Sequence, residues 1–411
     1  MTIELSDRAK IVLRLTLFLG TTLLIAFALY WFFFAAPPSV VNTDSTPGDE
    51  IANGSLPGSG DATPGAGGNT PTTGGSGQLP ASQVANGGET ITTQLTSSAV
   101  TSPHLTANGT VAYYDPADGR FYTIDENGNA VALSLEQFPS AETVVFNSEA
   151  TAAVIEFPDG SNVVYNFETA KQVTLPEHWE EFSFSADGTE IASKSIGTDP
   201  SNRTLVIAAA DGSSTKVVAA LGANDDKVTV SWSPESSIVG FSATGGTGDS
   251  AFGQYQMYII GEDGEADGII TVNGTNYENI WSPSGKYILY SIADSGDDYR
   301  PSLWYVDAKG DRNGDTRVRL GVKTTVDRCA FYDESTVYCG VPTETPAGSG
   351  GSPEILDGPD YLYKFSVPSG NAELVAIPTV STVIKNISIN DDESSLYYTD
   401  GRGKLNMIRL K

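Results

Sequence analysis

The sequence predicts an all-β fold, a β-propeller of four-stranded blades preceded by one transmembrane helix and a disordered linker. Three observations predict it. A short motif, an aromatic or β-branched stretch ending in a polar residue and a turn, occurs seven times in the 411 residues. The copies centred on Ser185, Ser233, Ser282 and Tyr332 are spaced 48, 49 and 50 residues apart. Within a unit, further turns divide the chain into four short strands. Repeats of about 40 to 50 residues with four strands each are what propeller blades produce.

The elements follow in order. Residues 1–10 are short and charged and read as a cytoplasmic tail. Residues 11–36 read as a signal-anchor helix, in which 15–36 carry no charge over 22 residues; about 20 apolar residues span a bilayer. Arg8, Lys10 and Arg14 flank its N-terminal side, and no Lys or Arg follows until Arg120. The positive-inside rule places the N-terminus in the cytoplasm and the remainder outside, periplasmic or extracellular. A cleaved signal peptide is the competing reading. Its apolar region is ordinarily shorter, and Phe34-Ala35-Ala36 before Pro37 and Pro38 is a poor cleavage site. Residues 37–88 are Gly, Pro, Ser, Thr, Asn and Ala with a few acids. They have no apolar period from which to build a core and read as a disordered tether, reaching on the order of 40 Å.

Residues 89–411 form the propeller domain. The units begin at LTANG (105–109), VVFNSE (144–149), FSFSADG (182–188), VSWSP (230–234), NIWSPSG (279–285), CAFYDE (329–334) and ISINDD (387–392). In the clearest unit, Trp281 is placed to pack, Pro283-Ser284-Gly285 turns the chain, and 287–291 is β-branched and aromatic. Residues 294–301 form a polar loop; strands follow at 303–306 and around 317–320. Second turns recur at Ala210-Asp211-Gly212, Glu262-Asp263-Gly264 and Glu126-Asn127-Gly128. Seven units predict seven blades, and the degenerate copies leave rings of six or eight open. The last unit has room for only three strands. Residues 90–95 (TITTQL) have strand character and are expected to pair there and close the ring, because an open blade edge invites aggregation.

At these motifs the chain resembles the TolB-like, PD40-type (WD40-like) propeller repeats. The resemblance runs from about residue 98 to the C-terminus and is strong in three units. It implies the fold. Propellers of this kind also form the lids of prolyl-oligopeptidase-type peptidases, but no G-x-S-x-G elbow and no α/β-hydrolase domain follows here.

The formal charge is −28; residues 1–36 hold three bases and two acids, so the remainder carries −29. Such a surface repels nucleic-acid phosphates and suits basic partners or cations. The two cysteines, Cys329 and Cys339, flank the turn at Asp333–Glu334 symmetrically and should face each other across one hairpin. Outside the cytoplasm they are expected to form a disulfide, two buried thiols being the alternative. Two cysteines and the distant His104 and His178 make no zinc set. The run Asp311 to Asp315 lacks the glycine position and final Glu of a calcium loop. No catalytic residues, cofactor or metal are expected, and the chain is read as a non-enzyme.

Function is expected on one face. Loops between second and third strands, at 194–203, 242–254, 292–301 and 342–360, are long, whereas the opposite face has tight turns. Loops on a rigid scaffold carry function. The expected ligand-binding residues on the loops are Asp249, Phe252, Tyr255, Asp297, Asp298, Tyr299 and Arg300. The links between blades add His178, Trp179, Asp225, Asp226, Asn276 and Tyr277. The expected activity is binding of a protein, a peptide or a cell-envelope polymer through this face. The alternatives are an assembly component of an envelope complex and a carboxylate-dependent glycan-active enzyme.

Overall fold

A computed structural model describes residues 83–411 except 126–127, 247–253, 309–313 and 368, and gives only the backbone of 245–246, 254–255, 267 and 353. The expected membrane helix, and the linker up to residue 82, lie outside these residues. Among the described residues no helix is long and apolar enough to cross a membrane.

Seven sheets follow one another along the chain, each a blade of four antiparallel strands, four sequential or three plus one, with a fifth strand added to one of them. Blade 1 spans residues 101–132, blade 2 143–175, blade 3 179–220, blade 4 228–273, blade 5 275–319, blade 6 329–378 and blade 7 385–409. The chain folds as a seven-bladed propeller. Its core is distributed between the blades: each of seven apolar clusters bridges one pair of neighbours. Tyr114 and Phe121 of blade 1 meet Phe146 and Ile155 of blade 2. Leu289 and Tyr305 of blade 5 meet Val337 and Phe365 of blade 6. Leu405 of blade 7 meets Val111 and Tyr113 of blade 1. No blade could bury its faces alone, which is why the repeat must be cyclic.

The recurring polar residue of the motif has a physical role. Ser185, Ser233 and Ser282 accept the N–H of the residue five positions on, at 3.0, 3.1 and 3.1 Å, across the first hairpin. In the weak copies Asn147 and Asn390 do the same through Oδ1 at 3.0 and 2.8 Å, and in a turn one residue shorter Thr106 Oγ1 accepts the Thr110 N–H at 3.2 Å. Serine, asparagine and threonine are interchangeable because each offers a short side-chain oxygen to a turn. Blade 6 has a shorter turn, Asp333 pairing with Thr336, and lacks this cap.

Closure departs from expectation in one detail. The segment expected as a single strand at 90–95 splits. Thr93–Gln94 pairs antiparallel with Leu405–Arg409 and completes blade 7. Glu89–Thr90 pairs in parallel with Asn371–Pro378 and adds a fifth strand to blade 6. Both outer edges would otherwise expose unpaired backbone. The Leu405 N–H also donates to Thr96 Oγ1 at 3.0 Å, joining residues 309 positions apart.

A second correction concerns Asn276 and Tyr277, expected in a link between blades. They lie in the first strand of blade 5, Thr275–Trp281, because the fourth strand of blade 4, Ala266–Asn273, runs almost directly into it. Gly274 alone separates them, with φ +146°, and a Cβ there would stand 2.6 Å from the Ala293 carbonyl oxygen.

Candidate functional site

The long-loop face divides into two regions of different character. On blades 5 and 6 the loops interlock. The Gly348 and Gly350 N–H groups donate to the Asp298 and Tyr299 carbonyls at 2.8 and 2.9 Å. Asn276 Nδ2 donates to Gly350 O at 2.9 Å and Arg300 Nε to Thr345 O at 2.8 Å. A Cβ on Gly350 would meet the Ala293 Cβ at 2.4 Å, so this glycine-rich stretch is a packing device. Three acids here are paired. Asp297 accepts Lys323 at 2.8 Å and Arg319 at 2.9 Å, and these cations hold its carboxyl below the usual range. Asp298 accepts Arg300 at 2.7 Å. Beneath the loops, fully buried Arg328 grips both oxygens of Asp360 at 2.6 and 2.5 Å, and Asp360 also accepts the Ile384 N–H at 2.8 Å. Burial pushes Asp360 up to about 6 against the pull of Arg328. Cys329 and Cys339, direct partners in the adjacent hairpin, are disulfide-bonded.

On blades 2 and 3 the same face opens into a cavity of about 710 Å³. It is lined by Glu142, Glu156, Glu177, Glu180 and Glu181, with Trp179, Phe157 and Phe182 among the apolar walls. The tight 157–161 loop of blade 2, the links entering blades 2 and 3, and the first strand of blade 3, Trp179–Phe184, bring these acids together. Within that strand a β-bulge at Glu181, φ +55°, breaks the alternation of the strand, so that Glu180 and Glu181 are both exposed. Similar bulges occur at Ser102, Asn276 and Asn386 in the first strands of blades 1, 5 and 7. Glu181 is tied to the nearly buried Lys194 at 2.5 Å and accepts the Val230 N–H at 3.2 Å. Among the described residues, Glu142, Glu156, Glu177 and Glu180 form no ion pair. Burial, then repulsion from Glu180, Glu142 and Glu181, raises the Glu156 carboxyl above its ordinary value.

The expected site residues do not converge. His178 and Asp226 are exposed, and Asp225 is held by Arg203 at 2.8 Å. Trp179, 6% exposed, is largely core, though its edge lines the acidic cavity. Tyr277 packs against Phe241 and Tyr290. Asp298, Tyr299 and Arg300 cluster with Asp297 in the interlocked loop. Asp249 and Phe252 lie outside the described residues, and Tyr255 is described only in its backbone. The acids of the cavity were missed because they sit on short loops and strands. The signal available was the local density of Glu in PEHWEE (176–181).

No protein-family model matches this chain, and no curated protein matches it. Solved structures do. An oligogalacturonate lyase in complex with manganese aligns at 14% identity over 80% of this chain and 96% of that one, with a TM-score of 0.52. The β-propeller domain of Cps50 (Swd1) from Myceliophteria thermophila aligns at 11% identity, 78% and 100% coverage, and a TM-score of 0.52. Tricorn protease aligns at 10% identity over 78% of this chain and 34% of that one, with a TM-score of 0.50. By fold, this chain is a TolB/WD40-like β-propeller. At these identities the likeness extends to the fold alone. Among the propeller's described residues no group of three His, Cys, Asp or Glu side chains could hold a metal ion.

Proposed function

We propose that this propeller is a membrane-tethered, extracytoplasmic binding module that captures a basic segment of a protein, peptide or cell-envelope polymer at the acidic mouth between blades 2 and 3. The single observation that carries this reading is the five-glutamate cavity, in which four carboxylates lack a cation. Their mutual repulsion, felt most at Glu156, is relieved by a ligand that brings positive charge. Trp179, Phe157 and Phe182 supply apolar walls for the stem of a Lys or Arg side chain. The anchor expected at 11–36 and the linker would hold this mouth away from the membrane surface. The test is capture from a detergent-solubilised envelope by the full-length protein, wild type beside the Glu142→Gln/Glu156→Gln/Glu180→Gln variant. A basic partner retained by wild type and lost by the variant supports the reading. A partner retained equally by both moves the function to the sides of the ring and to an assembly role.

A second reading rests on Glu156. A carboxyl raised by burial and by neighbouring acids is the kind of group that acid–base cleavage of glycosidic bonds uses as its acid. Oligogalacturonate itself, a polyanion, is an ill-suited substrate for so acidic a mouth. The glycan would be neutral or cationic. Release of reducing ends from such glycans by wild type but not by Glu156→Gln would establish this reading.

A further inference from the structure

A smaller cavity, of about 440 Å³, lies beside the acidic mouth on the flank between blades 1 and 2. Phe157 lines both cavities, so they share a wall. Phe138 and Tyr165 form the rest of the aromatic wall, and the rim carries Glu136, Gln137 and Gln172. The link from blade 1 to blade 2, residues 133–142, supplies an acid to each cavity, Glu136 to the flank and Glu142 to the mouth. That link is fixed in place. The Phe138 N–H donates to Gly119 O at 2.6 Å, and the Tyr114 hydroxyl donates to Phe138 O at 2.7 Å. Ser134 Oγ accepts the Glu136 N–H at 3.0 Å and lies 3.1 Å from the Tyr165 hydroxyl. Gln137 donates its Nε2 to Asp118 O at 3.2 Å, which leaves its Oε1 as an acceptor. Glu136 is exposed and forms no ion pair among the described residues.

The chemistry of the flank cavity selects its occupant. An aliphatic side chain would cover the rim acceptors without satisfying them, which costs free energy. A guanidinium satisfies them, because it lies flat on an aromatic wall and carries five N–H donors. An ammonium is a compact point charge and suits the mouth, where carboxylates predominate. In an extended segment, side chains i and i+2 fall on one face about 7 Å apart. That is the scale of two cavities on either side of one aromatic side chain.

We propose that the flank cavity is a second subsite for the partner of the acidic mouth, and that this partner is an extended segment with two basic residues at i and i+2, a lysine in the mouth and an arginine against Phe157 and Glu136. The inference rests on capture of a basic segment at the mouth and adds to it a spacing and a preference for arginine. Net charge attracts any polycation, whereas two fixed subsites reject one whose spacing is wrong.

The test is a set of fluorescence-anisotropy titrations of the full-length protein with labelled Gly/Ser peptides. Two carry the spaced pair in either chain direction, Lys-Gly-Arg and Arg-Gly-Lys. A third carries Lys and Arg adjacent, which turns them to opposite faces, and a fourth carries Lys-Gly-Lys. The better spaced peptide should bind wild type about fivefold or more tighter than the adjacent pair and than Lys-Gly-Lys. Glu136→Gln should lose that preference and bring the spaced peptide down to the adjacent one. Glu142→Gln/Glu156→Gln/Glu180→Gln should weaken all four. Equal affinity of wild type for spaced and adjacent pairs, with both weakened by the mouth variant, would overturn the flank subsite and leave the mouth standing. A preference that survives Glu136→Gln would overturn the subsite as well. Failure of wild type to bind any of the peptides would overturn the mouth and the subsite together.

Discussion

Two regions of one face use acidic residues in opposite ways. On blades 5 and 6 the loops are long, and the acids at their base, Asp297, Asp298 and Asp360, are consumed internally. Asp297 serves three cations, Asp298 one, and the buried Asp360 locks Arg328. On blade 2 the corresponding loop, 157–161, is short, and Glu142, Glu156, Glu177 and Glu180 face a common cavity between blades 2 and 3 without a counter-charge. The difference teaches that loop length marks where a propeller is elaborated, not where it is available. A long loop must be held to be ordered, and what holds it is its own polar groups. The unsatisfied chemistry is left where the backbone is already fixed by the blades.

The comparison breaks most sharply at Arg328. Arg328→Leu leaves the Asp360 charge buried without its partner and should cost about 3–5 kcal/mol in denaturant unfolding, and adding Asp360→Asn should recover part of it. A cost below the noise would mean that the blade 5–6 region is not locked in this way. Gly350→Ala drives a methyl into Ala293 and the Pro301 backbone. It should cost about 1–3 kcal/mol as an overpacking change, and hydrogen exchange should quicken at residues 294–300 while the mouth is unaffected.

Acid titration sharpens the contrast through signs. Burial raises Glu393 of blade 7, but hydrogen bonds from Lys364, Lys411 and Tyr338 outweigh it and bring the carboxyl from 4.5 to about 2. A depressed carboxyl stabilises the fold above its unfolded value, and that contribution is lost as pH falls from about 4.5 toward 2. Glu156 is shifted the other way, so its contribution is present at low pH and lost as pH rises through its folded value. Glu393→Gln should therefore lower Tm at pH 7 and converge with wild type near the acid end. Glu156→Gln should raise Tm at pH 7 and also converge at low pH. Tm profiles from pH 3 to 8 read both. The smallest effect is expected at Ser236, which occupies a left-handed turn position, φ +63°, that Gly188 and Gly285 fill in the neighbouring blades. Ser236→Gly should stabilise by no more than about 1 kcal/mol, relief of the left-handed conformation being offset by the flexibility of glycine in the unfolded chain.

The fold was legible because the hairpin cap imposes a local chemical rule six residues wide. Serine at 185, 233 and 282 and asparagine at 147 and 390 meet the same need, so the period survives divergence. The closing strands at 89–94 were legible as a need, a missing strand, but not in their division between two blades, which depends on two edges lying side by side in space. The site was less legible. Asp225, Asp297 and Asp298 read as free acids because sequence does not reveal that Arg203 reaches the first, Arg319 and Lys323 the second, and Arg300 the third. Glu142 and Glu156 meet across the first hairpin of blade 2, where the Glu142 N–H donates to Glu156 O at 2.8 Å, and only the packing of blade 3 beside it adds Glu180.

The most direct test of the acidic mouth is a fluorescence-anisotropy titration of a labelled lysine-rich peptide against the full-length protein at several salt concentrations. Wild type would be set beside Glu142→Gln/Glu156→Gln/Glu180→Gln and beside Asp226→Asn/Glu262→Gln/Asp298→Asn, which removes the same charge elsewhere. The account predicts that the mouth variant loses about tenfold or more in affinity, or about 1.4 kcal/mol, with a shallower salt dependence, and that the second variant binds within about twofold of wild type. Equal losses in both would mean that the peptide senses only the net charge of the molecule, and the acidic mouth would not be its binding site.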